Sequence, residues 1–148
     1  MNPAPIVSVI DDDVPVLNGL ARLCRAWGYS VRPFTSAQQF LEHLRAEGDE
    51  IGCVVLDVHL PGMSGLELQA SLTLTHLDVP IVFVTGAGDE TMRSRALADG
   101  AVAFLEKPFD LSELLRAVQD AVARPRHLGE RRAYFGPALM TASAQSVD

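Results

Sequence analysis

Residues 53–57, Cys53-Val54-Val55-Leu56-Asp57, run apolar without polar alternation and then stop on a carboxylate. A strand of that pattern is buried on both faces, as in a parallel sheet covered by helices; a half-exposed strand would alternate. Three more apolar runs end in the same manner. Ile6–Ile10 leads into Asp11-Asp12-Asp13, Ile81–Val84 into Thr85, and Val102–Leu105 into Glu106-Lys107-Pro108. If all four are parallel strands, their endings share one edge of a sheet. An acidic cluster, a lone Asp, a hydroxyl and the chain's only lysine, Lys107, then converge on one small volume.

Between these runs the apolar period changes from two to that of a helix. Pro15 suits a first helical turn, Leu17, Leu20, Ala21, Cys24 and Trp27 follow at helical spacing, and Gly28 closes the helix. Tyr29–Phe34 is a weaker strand, alternating through Ser30 and Arg32. Ser36 with Gln39 is a capping-box pair ahead of Ala37, Phe40, Leu41 and Leu44, and Ser64 with Glu67 repeats it ahead of Leu68 and Leu72. Leu60-Pro61-Gly62-Met63-Ser64-Gly65 reads as a loop, and Gly86-Ala87-Gly88 as a flexible turn before Asp89 and Glu90 start a fourth helix. That helix, about 90–99, offers few large apolar residues beyond Met92 and Leu97, so it is expected to be the least firmly packed. Gly100 closes it, and Ala101–Leu105 is the last strand. Asp110 with Glu113 then starts a helix facing inward through Leu111, Leu114, Leu115, Val118 and Val122. Five β-α units ending near Ala123 imply an α/β fold with helices on both faces of a parallel sheet. In such sheets the functional crevice lies at the carboxyl ends of the strands.

The 148 residues, 48% hydrophobic, suit one well-buried domain. A net charge of -7 argues against direct binding to nucleic acid or to an anionic membrane, both of which need a positive field. The charge is uneven: residues 1–123 hold 17 acids and 8 bases, whereas Arg124, Arg126, Arg131 and Arg132 face only Glu130 and Asp148 beyond them. No signal peptide and no run of about 18–20 apolar residues is read, which sets the expectation of a cytoplasmic protein. Cys24 and Cys53 read as buried thiols rather than a disulfide or a metal pair.

Acids held close together repel one another unless a cation sits among them. A hard divalent ion is the natural answer, and Mg2+ takes one or two carboxylates while keeping several waters. Asp11, Asp12 and Asp57 form the candidate metal site, and Mn2+ is an alternative occupant. A carboxylate oxygen can attack phosphorus to give an aspartyl phosphate, a transfer that needs positioning and charge neutralisation above all. Asp57 is then the nucleophile, with Lys107 and the Thr85 hydroxyl at the phosphoryl oxygens. A cis Lys107-Pro108 bond would turn the chain tightly and aim Lys107 into the crevice.

Val9-Ile10-Asp11-Asp12-Asp13, Val54-Val55-Leu56-Asp57 with Leu60-Pro61-Gly62-Met63-Ser64-Gly65, Val84-Thr85-Gly86, and Phe104-Leu105-Glu106-Lys107-Pro108-Phe109 occur in that order. Over about residues 4–123 the pattern resembles the receiver domain of two-component response regulators, with local wording closest to the FixJ-like subgroup. The resemblance implies a flavodoxin-like (βα)5 three-layer sandwich with strand order 2-1-3-4-5. It implies that Asp57 accepts a phosphoryl group from a histidine kinase or phosphotransfer protein. It assigns Mg2+ to Asp11, Asp12, Asp57 and the backbone carbonyl of His59, and the phosphoryl oxygens to Thr85 and Lys107. Phe104 takes the position of the aromatic switch residue, where many receivers have Tyr; on phosphorylation Thr85 moves inward and Phe104 swings into the space it leaves. The face formed by the fourth helix, fifth strand and fifth helix would then meet a downstream protein or a second copy.

His59 itself reads as a surface loop residue. Residues 124–148 are too few for an output domain with its own core, so they are read as a C-terminal tail after a receiver domain of residues 1–123. Two rival functions use the same residues. One is a Mg2+-dependent phosphatase or phosphotransferase acting through an aspartyl phosphate; such enzymes commonly want a second acid where this chain has His59, and a cap to enclose the substrate. The other is a receiver-like module that binds partners without phosphorylation, which an intact Asp, Thr and Lys set disfavours. A phosphoacceptor signalling domain, rather than an enzyme, is the reading the sequence supports best.

Overall fold

The computed structural model describes residues 5–47, 51–75 and 77–124; the expected tail beyond Arg124 lies outside them. Strands β1 (Ile6–Ile10), β2 (Ser30–Phe34), β3 (Ile51–Leu56), β4 (Ile81–Thr85) and β5 (Ala103–Glu106) alternate with helices α1 (Val14–Ala26), α2 (Ala37–Glu47), α3 (Gly65–Leu74), α4 (Glu90–Ala98) and α5 (Leu111–Ala123). The strands are all parallel, in the order β2-β1-β3-β4-β5. This is the flavodoxin-like arrangement, and every strand ends at the same edge.

The absence of alternation in the central strands has the expected cause. Side chains on successive strand residues point to opposite faces, and here each face is covered. Ile10, Val54, Leu56, Ile81 and Phe83 pack with α2, α3 and α4 through Phe40, Leu44, Leu68, Leu72 and Ala96. Val7, Val9, Cys53, Val55, Val82 and Val84 pack with α1 and α5 through Leu17, Leu20, Cys24, Leu114 and Val118. Cys24 and Cys53 are both free, buried thiols.

Local signals start most helices where the sequence places them. Asp13 accepts from the Val16 amide at 3.3 Å, and Asp89 from the Met92 amide at 2.8 Å. Ser64 and Glu67 exchange the two bonds of a capping box, and Glu113 accepts from the Asp110 amide at 3.0 Å. Other details differ from the sequence reading. Strand β3 begins at Ile51, two residues early, because Gly52 continues the strand instead of turning. Strand β5 begins at Ala103, two residues later than expected. Leu111 is 58% exposed: it stands at the first position of α5, and the buried face runs through Leu114, Ala117, Val118 and Ala121. Leu97 is also exposed, which leaves Ala96 as the one buried residue of α4.

Candidate functional site

The edge where the strands end gathers the residues singled out above. Asp11 and Asp12 follow β1, and Asp57 follows β3, whose pairing with β1 sets Leu56 beside Ile10. One carboxylate oxygen from each of Asp11, Asp12 and Asp57 lies within 4.8 Å of the other two. Their environments differ: Asp11 is 1% exposed, Asp57 half-buried and Asp12 exposed.

The hydrogen bonds of these acids leave capacity unused. Asp11 Oδ1 accepts from the Asp13 amide at 2.9 Å, while Asp11 Oδ2 is buried with no partner. Burial holds the Asp11 carboxyl above its usual range, and the neighbouring charge of Asp57 adds to the effect. The bond from Asp13 and the Lys107 ammonium oppose that shift without cancelling it. Asp57 Oδ1 accepts from the His59 amide at 3.2 Å. A buried, unpaired carboxylate oxygen facing two more acids is a donor set for a hard cation; Mg2+ fits it.

Thr85 closes β4 fully buried, and its Oγ1 accepts from the Ala87 amide at 3.3 Å. The Lys107 amide donates to the Thr85 carbonyl at 2.9 Å, which ties the end of β5 to the end of β4. The Lys107-Pro108 bond is cis. The Lys107 side chain passes over Gly86, where an added Cβ would meet its Cδ at 3.9 Å.

His59 is exposed but does have a partner. Its Nε2 lies 2.6 Å from the Ala87 carbonyl, so the loops after β3 and β4 are joined across the crevice. Ala87 is thus held from both sides, by Thr85 at its amide and by His59 at its carbonyl.

Phe104 on β5 is 3% exposed, with its ring 5.9 Å from that of Phe83. A Cβ built on Gly88 would stand 2.9 Å from Phe104 Cε1 and 3.0 Å from Thr85 Cγ2. The ring therefore already occupies the space beside Thr85 into which a swing was expected. Phe has no hydroxyl to draw it toward water, and Gly88 has no side chain to keep it out.

Two glycines and three polar partners escape a sequence reading. Gly65 was read only as part of a loop, yet a Cβ there would fall 2.3 Å from the Asp57 carbonyl oxygen. Gly88 is the second such close approach. Gln69, Arg93 and the Ala87 carbonyl act across the fold, and no local spacing points to them.

Comparison with known proteins agrees with this architecture. The family model described as response regulator receiver domain matches residues 7–119. Nodulation protein W of Bradyrhizobium diazoefficiens is 45% identical over 121 residues, covering 82% of this chain and 52% of that protein. Response regulator protein TodT of Pseudomonas putida is 41% identical over 119 residues, covering 80% and 52%. The chain thus spans about half the length of these curated relatives. The crystal structure of FixJ-N superposes with a TM-score of 0.75 at 33% identity, covering 85% of this chain and 98% of that one. The chain belongs to the family of response regulator receiver domains of two-component signalling.

Proposed function

We propose that this chain is a phosphorylation switch in which Asp57 accepts a phosphoryl group from a histidine kinase or a histidine phosphotransfer protein. The observation that carries the reading is the set of three acidic oxygens within 4.8 Å, one acid bearing a buried orphan oxygen, at the strand edge that also holds Thr85 and Lys107. A carboxylate oxygen of Asp57 attacks phosphorus and forms an O–P bond. The N–P bond of the donor phosphohistidine breaks, and its electron pair returns to the imidazole nitrogen. Lys107 and the Thr85 hydroxyl neutralise and hold the phosphoryl oxygens. Asp11, Asp12, Asp57 and the His59 carbonyl would hold Mg2+ or Mn2+, which supplies positive charge against the incoming phosphoryl group when bound.

The output is a protein contact. The face of α4, β5 and α5, lined by Arg93, Leu97, Val102, Leu105, Phe109 and Glu113 among others, encloses a groove of about 450 Å3 suited to a downstream protein or a second copy. Direct nucleic-acid binding is no part of the reading, since the chain carries net charge -7. Among the described residues no helix is long and apolar enough to cross a membrane.

Incubation with Mg2+ and acetyl phosphate, followed by intact-mass measurement, tests the proposal. One phosphoryl adduct is expected on the parent protein and none on Asp57→Asn. Multiple-turnover release of phosphate from assorted phosphoesters would replace this reading with the phosphatase one. Absence of an adduct with acetyl phosphate and with a phosphohistidine donor would replace it with phosphorylation-independent binding.

A further inference from the structure

Helix α4 has little packing to hold it: Ala96 is buried, and Met92 is partly buried against the same core. Two side-chain hydrogen bonds supply what packing does not. Gln69 on α3, 3% exposed, donates from Nε2 to the Ala96 carbonyl at 3.0 Å. Arg93, one turn nearer the N-terminus of α4, donates from Nη1 to the Phe104 carbonyl at 3.1 Å.

These bonds differ in kind. Gln69 Oε1 is buried without a partner. A buried amide satisfied on one side only contributes little net stability, and an apolar side chain of like volume would serve the core as well. What the amide adds is a fixed point. It holds the last turn of α4, where the Ala96 carbonyl also receives the Ala101 amide at 3.0 Å. Arg93 is exposed, so water competes for its bond, which is the easier one to open.

Resting on the receiver reading above, we propose that α4 is the moving part of the switch. It pivots on Gln69 at its C-terminal turn, the Arg93 contact opens, and the Phe104 ring is a fixed seat. A hydroxyl has one donor and two acceptor sites, so Thr85 keeps the Ala87 amide while giving its hydrogen to a phosphoryl oxygen on Asp57. The pull passes along 86–88 to Asp89, whose side chain caps the first turn of α4. The Phe104 carbonyl belongs to the sheet and stays in place, and Arg93 leaves it. The freed guanidinium lines the output groove.

Amide hydrogen exchange of the full chain, with acetyl-phosphate uptake followed by mass on the same samples, tests this. The variants are Arg93→Ala and the volume-conserving Gln69→Met. Without phosphodonor, Arg93→Ala should speed exchange about five-fold at Arg93, Ser94 and Arg95, the factor for a bond worth about 1 kcal/mol, and leave Asp99, Gly100 and Ala101 unchanged. Gln69→Met should speed exchange at those last three. Phosphorylation of the parent should reproduce the Arg93→Ala pattern. Arg93→Ala should also take up the phosphoryl group a few-fold faster, which a merely destabilising change would not do.

Uniform exchange across α4 in both variants overturns the pivot, as does an unchanged uptake rate in Arg93→Ala. If Gln69→Met does not fold, the Arg93→Ala arm and the parent's own phosphorylation pattern decide. A parent that takes up no phosphoryl group overturns the receiver reading instead, while the measurements without donor still judge the two tethers.

Discussion

Gly88 and Phe104 share one volume: a Cβ on the glycine would lie 2.9 Å from Cε1 and 3.0 Å from Cζ of the ring. The aromatic side chain beside Thr85 is thus seated by a missing side chain in the following loop. Gly88→Ala should cost about 1–3 kcal/mol, the usual penalty for overpacking. In a Phe104→Leu background the same change should cost less, because the ring edge it meets is gone. Urea denaturation of the four proteins of this cycle checks it; equal costs in both backgrounds would refute the shared volume.

Gly65 stands against backbone, which cannot yield as a ring edge can. Its Cβ would fall 2.3 Å from the Asp57 carbonyl oxygen and 3.0 Å from Val58 Cα. Gly65→Ala should therefore displace Asp57 as well as destabilise the fold. Uptake from acetyl phosphate should slow about 10- to 100-fold, in line with a misplacement of up to roughly 1 Å at a reacting group. Stopped-flow or timed intact-mass measurement would show this, and an unchanged rate would contradict it.

Asp11 makes the site costly without a cation. Its buried orphan oxygen and its upward-shifted proton affinity both report a carboxylate that the fold alone does not satisfy. Asp11→Asn should raise the melting temperature measured in chelator. Mg2+ should stabilise the parent, by about 1.4 kcal/mol at ten times its Kd, and have a much smaller effect on the variant. Thermal melts with and without Mg2+ compare the two; equal Mg2+ responses would remove Asp11 from the binding set.

Cys24 supplies a pH dependence at the alkaline end. Burial raises its thiol from an ordinary 9.0 to about 11. Between those values the folded state holds a proton that the unfolded chain has released. The stabilising contribution is therefore complete below pH 9 and lost as pH rises through about 11. Urea midpoints at pH 8 and pH 10.5 should fall with pH in the parent and fall less in Cys24→Ala. The native thiol should also react slowly with a disulfide reagent at pH 8.

The parts of this molecule that a sequence discloses are those written locally. Cys53–Leu56 lacks alternation because both faces of β3 are covered, and the Ser64–Glu67 pair signals α3 within a single turn. The edge residues Asp11, Asp12, Asp57, Thr85 and Lys107 were legible because each directly follows or ends an apolar run. Leu97 and Leu111 misled: on a short helix and at a first helical position, hydrophobicity does not decide which side is inward. Gln69 and Arg93 were illegible for another reason. Their partners, the Ala96 and Phe104 carbonyls, are backbone atoms 27 and 11 residues away, and any residue type supplies a carbonyl. The close approaches at Gly65 and Gly88 were likewise hidden, since a glycine in a loop reads first as a turn.

The 2.9 Å bond from the Lys107 amide to the Thr85 carbonyl has a bearing on protein engineering. The separation of the ammonium-bearing and hydroxyl-bearing residues is dictated by main-chain register between the last two strands, so neither can be relocated independently. Inserting or deleting one residue within Ala103–Glu106 would throw both out of phase together. Chimeras that exchange this segment between homologous proteins should keep Ile81–Thr85 with it as a single cassette.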